Sequence, residues 1–238
     1  MTRFLDAATR ESDQTLGPYY RWVLRPASLP VAAMFLSAGM TANQVTLIGM
    51  AVGGGAAALA AIGTPAMMLW GALLWQVSRV LDLVDGNLAR ASGVKVWSGK
   101  FLDGLGDALL DTAFLIGVGI GVGGLWGAAS AVIAWFIISG AYARMRLLYI
   151  QQLIHAGRPE GAATAPKAPA PVGLARRVMS GLEWIDRNAG LPGVVAAAAL
   201  GAPLVWLVPT LALRSVLAFA GLGGAIWIGV RTLAVPRG

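Results

Sequence analysis

Four aspartates stand at helical spacing inside two apolar segments, and no other feature limits the fold so severely. From Asp82 to Asp107 the sequence reads DLVDGNLARASGVKVWSGKFLDGLGD, or Asp-x2-Asp-Gly-x2-Ala-Arg-x8-Gly-x3-Asp-x3-Asp. An aspartate at mid-bilayer costs roughly 2.5–3.5 kcal/mol, so four uncompensated ones would cost about 10–14 kcal/mol. That approaches the whole stability of an ordinary domain. The chain tolerates Asp82, Asp85, Asp103 and Asp107 only if something neutralises them, and divalent cations are the obvious remedy.

The surrounding composition makes the membrane setting plain. Of 238 residues, 57% are apolar and 12% charged, and mean hydropathy is +0.71. These values exclude an ordinary soluble domain. The 32 glycines suit transmembrane helices that approach through small side chains. Cysteine is absent and histidine occurs once, as His155, which removes thiolate and imidazole metal sites. A metal here must be a hard cation held by oxygen, such as Mg²⁺, Mn²⁺ or Ca²⁺. The net charge of +7 comes from basic residues in membrane-flanking loops without aromatic interleaving, so no nucleic-acid partner is expected.

The expected fold is all-α and integral to the membrane, with six transmembrane helices and an N-terminal amphipathic interfacial helix. Residues 1–42 form a cytoplasmic arm with the amphipathic helix over 26–40; their scattered charges do not read as a cleavable signal. Residues 43–232 form the six-helix domain, with spans near 43–63, 66–90, 98–122, 124–149, 190–211 and 213–231. Within it, 151–189 is a cytoplasmic loop and surface helix: a polar, Pro- and Ala-rich stretch over 151–172, then an amphipathic helix over 173–189. Residues 233–238 are a C-terminal tail.

Basic residues set the orientation. Arg90, Lys95 and Lys100 flank the turn between the second and third spans. Arg144, Arg146, Arg158, Lys167, Arg176, Arg177 and Arg187 surround the loop after the fourth, and Arg231 and Arg237 lie at the C-terminus. The opposite turns, near 64, 123 and 212, hold almost none, Arg214 being the exception. Both termini and the acidic motif are therefore expected to face the cytoplasm.

On helices, Asp82 and Asp85 are separated by about 60° of arc, and Asp103 and Asp107 by about 40°. A short turn joins the two helices, so the pairs can face each other and bracket two divalent ions. Two-metal sites clamp the attacking and leaving oxygens of an in-line displacement at phosphorus. Gly86 admits a ligand to the backbone, and the Arg90 guanidinium suits a phosphate. The arrangement suits pyrophosphate cleavage.

The spacing resembles the signature of the CDP-alcohol phosphotransferases, membrane enzymes of phospholipid synthesis. Its eight positions are all present: Asp82, Asp85, Gly86, Ala89, Arg90, Gly99, Asp103 and Asp107. TANQVT (residues 41–46) is similar to the family's Thr-Pro-Asn-x-x-Thr, with Ala42 in place of proline. The resemblance implies two Mg²⁺ or Mn²⁺ ions, with Asp82 and Asp103 contacting both, Asp85 the first and Asp107 the second. It also implies that Asp107 is the general base, and that Thr41, Ala42, Asn43, Gln44, Gly86 and Arg90 hold the CDP portion. The acceptor oxygen would attack the phosphorus of a CDP-activated lipid, CDP-diacylglycerol by preference, and CMP would leave. A polar alcohol acceptor, membrane lipids and a second copy in a homodimer are the expected partners. A CDP-activated polar alcohol donating to diacylglycerol would use the same residues.

Outside the signature, Asp111 reads either as a partner orienting a metal ligand or as a helix-packing carboxylate, and Arg79 as an ion-pair partner of Asp82 or a phosphate ligand. Some members that resemble phosphatidylinositol-phosphate synthases carry an acid where Asp111 stands, but they have a basic residue at the position of Ala108. A divalent-cation transporter or a non-catalytic lipid-binding protein would also keep intramembrane carboxylates. Neither needs Gly86, Arg90 and Gly99 at these offsets. Metal-dependent CMP release separates the readings.

Overall fold

The structure, a computed structural model, describes residues 17–92, 97–156 and 174–233; for 92, 97–105, 143–156, 174–177, 187, 191, 221–222 and 225–233 it describes the backbone alone. Regular structure among these residues is entirely helical. The calls on residues 1–16, Lys95, Arg158, Lys167 and the 233–238 tail beyond residue 233 lie outside the described residues. So do those on the side chains of Lys100, Asp103, Arg144, Arg146, His155, Arg176, Arg177, Arg187 and Arg231.

A π-helical segment, Tyr20–Leu24, leads into α1 (Arg25–Ser37). Pro26 stands in the first turn of α1, where the π-helical segment passes into it. Arg25, Ser28 and Ala32 are buried along one face against α3 (Pro65–Ser92), while Trp22, Met34 and Leu36 are exposed. A helix thus occupies most of the stretch where an amphipathic interfacial helix is expected, ending at Ser37. The short loop after α1 leads to α2 (Ala42–Ala61), where Thr41 caps the first turn. Thr41 N–H donates to Gln44 Oε1 at 2.9 Å and Gln44 N–H to Thr41 Oγ1 at 3.4 Å, a reciprocal cap.

Helix α3, α4 (Trp97–Val122) and α5 (Leu125–Ala156) follow. The turns expected near 64 and 123 occur, each reversed through glycines at positive φ: Gly63 at 80°, Gly123 at 85° and Gly124 at 59°. Residues 151–156, expected in the cytoplasmic loop, are helical and continue α5 to Ala156. Among the described residues, four helical stretches are long and apolar enough to cross a membrane: Ala42–Ala61, Pro65–Ala91, Leu125–Tyr142 and Pro203–Ala220.

The C-terminal third departs from expectation. In place of a surface helix over 173–189 and a span over 190–211, α6 (Leu174–Ile185) passes through a π-helical turn, Asp186–Gly190, into α7 (Leu191–Ala199). Gly190 keeps helical angles (φ −62°, ψ −45°), so α6 and α7 are one continuous rod. The break falls at 200–202, where Gly201 takes φ 63° and Pro203 restarts the helix. No break occurs near 212. Helix α8 runs unbroken from Pro203 to Leu233, with Pro209 inside it. Near 212 Arg214 lies inside the helix, half-buried and ion-paired with Asp111 and Asp186.

Small residues decide the packing. Helix α2 lies along both α3 and α4, which touch each other sparingly. A Cβ on Gly71 of α3 would meet Ala56 O of α2 at 2.8 Å, and one on Gly117 of α4 would run into Ala57 O. The backbones are thus in direct contact at the deep end. Beside them runs an aromatic stack, Trp75 on Phe114 (ring centroids 4.6 Å apart, 6° between planes), with Trp206 of α8 edge-on to Phe114 at 6.1 Å. The Trp206 indole N–H donates to Gly190 O at 2.7 Å and ties α8 to the π-helical turn.

Gly117→Val should cost about 3 kcal/mol, a fall of roughly 6–12 °C in melting temperature. Gly54→Ala, with nothing within 4 Å of the added carbon, should leave it unchanged. Tryptophan fluorescence melts in micelles compare the two.

Candidate active site

The cleft lies where α2 holds α3 and α4 apart. Asp82 and Asp85 of α3 and Asp107 of α4 line it together with Thr46 and Gly49 of α2 and Arg79 of α3. It contains about 270 Å³ of unfilled space, part of it open to solvent. Asp103 belongs to α4 one turn before Asp107, and its backbone is helical. Three signature aspartates therefore meet in one cleft, as their spacing predicts.

Each is set by a neighbour. The Thr46 hydroxyl lies 2.6 Å from Asp85 Oδ2 and 3.1 Å from Ala42 O, linking the start of α2 to α3. Ser78 donates to Gly49 O at 3.0 Å and holds α3 against α2 one turn below. Asp107 Oδ1 accepts from Arg79 Nη1 at 3.0 Å. Asp82 and Asp107 line the cleft from facing helices, and carboxylates gathered in one cleft favour a cation between them.

The donor set fits a hard divalent ion, being all oxygen. Among the described residues no three His, Cys, Asp or Glu side chains form a complete metal cage. Asp103, whose side chain is not among them, is the ligand that the signature would add.

The expected CDP-binding residues form two groups. Thr41 and Gln44 make the helix cap, Ala42 is the first residue of α2, and Asn43 is exposed beside it. The cap is complete with alanine where the family pattern has proline. Gly86 and Arg90 stand together near the cytoplasmic end expected of α3, a Cβ on Gly86 meeting Arg90 Nη2 at 3.3 Å. Arg90 Nη2 donates to Asn87 Oδ1 at 2.8 Å, and Arg25 of α1 donates to the same oxygen at 3.2 Å.

Arg79 pairs with Asp107 and stands 3.8 Å from Asp111, not with Asp82 as one reading of its spacing suggests. Asp111 is 3.7 Å from Arg214 of α8, and Arg214 is 3.1 Å from Asp186 in the π-helical turn. Alternating charges thus connect Asp107 to α8 and to the α6–α7 rod. The N-terminal segment lies over this network. Tyr19 donates from its hydroxyl to Gln76 Oε1 at 2.7 Å and from its backbone N–H to Asn188 Oδ1 at 3.2 Å. Tyr20 has Arg79, Asp82, Asp107 and Asp111 as electrostatic neighbours, and burial pushes the hydroxyl pKa of both tyrosines up.

Sequence reasoning missed Thr46 as a partner of Asp85, Asn87 as the meeting point of two arginines, and the internal role of Arg214. Thr46 lies within TANQVT, so a signal existed. Arg25 and Arg214 carry none, because their partners are 62 and 28 residues away.

Removing Arg214 leaves Asp111 and Asp186 without this cation. Arg214→Met should lower the melting temperature by on the order of 10 °C. Adding Asp186→Asn should recover part of the loss; an additive double variant would refute the pairing.

Comparison with known proteins agrees with this geometry. A family model described as CDP-alcohol phosphatidyltransferase matches residues 39–175, the stretch from the α2 cap through the aspartates and beyond. The chain is 30% identical over 217 residues to the phosphatidylinositol phosphate synthase of Cutibacterium acnes, covering 87% of this chain and 91% of that protein. It is 33% identical over 108 residues to a protein of the same name from Mycobacteroides abscessus, covering 45% of this chain and 48% of that one. With its membrane-length apolar helices and its aspartate-lined cleft, the chain belongs to the CDP-alcohol phosphatidyltransferase family.

Proposed function

We propose that the protein transfers a phosphatidyl-type group from CDP-diacylglycerol to a small hydroxylated acceptor, releasing CMP. The observation that carries this reading is the meeting of Asp82, Asp85 and Asp107 in one cleft between two helices. Asp107 accepts the acceptor's hydroxyl proton. The acceptor oxygen then forms its bond to the lipid-bearing phosphorus as the bond to CMP breaks, the electron pair leaving with CMP. Arg79 fixes one Asp107 oxygen, which aims the other. Thr46 holds Asp85 in place, and Gly86 with Arg90 receives the CDP portion beside the 41–44 turn. Two Mg²⁺ or Mn²⁺ ions on Asp82, Asp85, Asp103 and Asp107 would offset the pyrophosphate charge and clamp the attacking and leaving oxygens.

Inositol phosphate heads the acceptors because both similar proteins are named for it, although Ala108 departs from the basic residue of such members. The proposed topology has six spans, with the α6–α7 rod as the fifth and α8 as the sixth, and the site and both termini toward the cytoplasm. A homodimer is the proposed assembly.

CMP release by purified protein in micelles, with Mn²⁺, CDP-diacylglycerol and single acceptors, is the test. One acceptor should stimulate release, and chelation or Asp107→Asn should abolish it. Thr46→Val, which keeps shape and loses the bond to Asp85, should lower kcat/KM about tenfold. No release with any acceptor would reject CDP-diacylglycerol as donor.

A further inference from the structure

Arg79 is 6% exposed, yet only Nη1 of its guanidinium is used by the protein. Nε and Nη2 are shielded from solvent and have no hydrogen-bond partner. These two nitrogens form one edge of the planar fork, the edge that takes a carboxylate or phosphate through two parallel bonds. A buried donor left unpaired is costly, and here both donors of one edge are unpaired together. The group is also aimed. The guanidinium lies over the Trp75 ring, its carbon 4.6 Å from the centroid, and the Nη1 edge is pinned by Asp107 and Asp111. Arg79 lines the same cleft as Asp82, Asp85 and Asp107.

We propose that the open Nε/Nη2 edge of Arg79 binds a phosphoryl oxyanion of a substrate, making Arg79 a specificity-determining ligand of the cleft. The oxyanion is supplied by the lipid-bearing phosphate of the donor or by a phosphate on the acceptor, a choice that rests on the transferase reading above. Asp82 and Tyr20 are the other charged or titratable neighbours of the guanidinium.

The test uses the full-length protein in micelles with Mg²⁺ and inorganic phosphate as probe, read by melting temperature. Arg79→Lys keeps the charge toward Asp107 and removes the fork. Phosphate should protect the wild type, with an apparent Kd at least about tenfold weaker in the variant. Steady-state CMP release separates the sources. A KM for CDP-diacylglycerol raised about ten- to hundredfold names the lipid phosphate. The same rise for a phosphate-bearing acceptor, with the donor KM unchanged, names the acceptor.

Absent or equal phosphate protection overturns the proposal. A fall in kcat alone also overturns it, since Arg79 would then only position Asp107. If Arg79→Lys does not stay monodisperse, wild-type crystals soaked in tungstate decide. Tungsten within hydrogen-bond distance of Nε and Nη2 supports the proposal, and its absence there overturns it. Phosphate protection needs no turnover. Binding at Arg79 without CMP release would therefore sink the transferase reading and leave this one standing.

Discussion

The cleft depends on one steric fact: α2 sits against both helices that carry the aspartates. Consecutive helices joined by a short turn ordinarily pack along their length. Here the glycine and alanine face of α2 draws α3 and α4 onto its own backbone instead, with Gly71 and Gly117 resting on the carbonyls of Ala56 and Ala57. Dispersion between close backbones is the force available in lipid, where apolar burial drives little association. At the deep end, Trp75 and Phe114 close the space that remains. Toward the other end the gap is bordered by Asp82, Asp85 and Asp107.

The charged groups follow from that gap. With little protein between α3 and α4, their carboxylates approach one another and need counter-charge. Arg79 supplies it to Asp107, and the sequence of pairs through Asp111 and Arg214 to Asp186 extends it to the far side of the bundle. In a low-dielectric interior such pairs act over longer distances than at a protein surface. The position of Asp107 is therefore tied mechanically to α8 and to the π-helical turn. Extra residues in such turns re-aim side chains, and here the turn presents Asp186 to Arg214 and Asn188 to Tyr19.

Helical spacing made much of this legible. Intervals of three and four residues put Asp82 with Asp85 and Asp103 with Asp107 on common faces, and the glycines at 63 and 123 marked two turns. TANQVT, similar to the family's pattern, coincides with the capped start of α2. The C-terminal third is less legible: Arg214, the exception to the charge rule at the turn expected near 212, lies within α8 and faces two carboxylates instead. Likewise, the amphipathic pattern of 174–185 does not reveal that the helix continues through Gly190, because a π-helical turn has no strong local signature. The pairing of Arg25 with Asn87 was beyond reach for a simpler reason: long-range contacts leave no period in the chain.

The ion pairs also bear on how the protein enters the bilayer during synthesis. Helices emerge in order, and each must be accommodated before its later neighbours exist. Asp107 and Asp111 arrive on α4 directly after α3 has delivered Arg79, so that hairpin carries a cation for its acids. Arg214 arrives on α8 directly after the α6–α7 rod has delivered Asp186, so the last hairpin carries an acid for its cation. The contact between Asp111 and Arg214 then joins two units that each already hold an internal ion pair. Chain order thus supplies each helix pair with its own counterion before the two pairs meet.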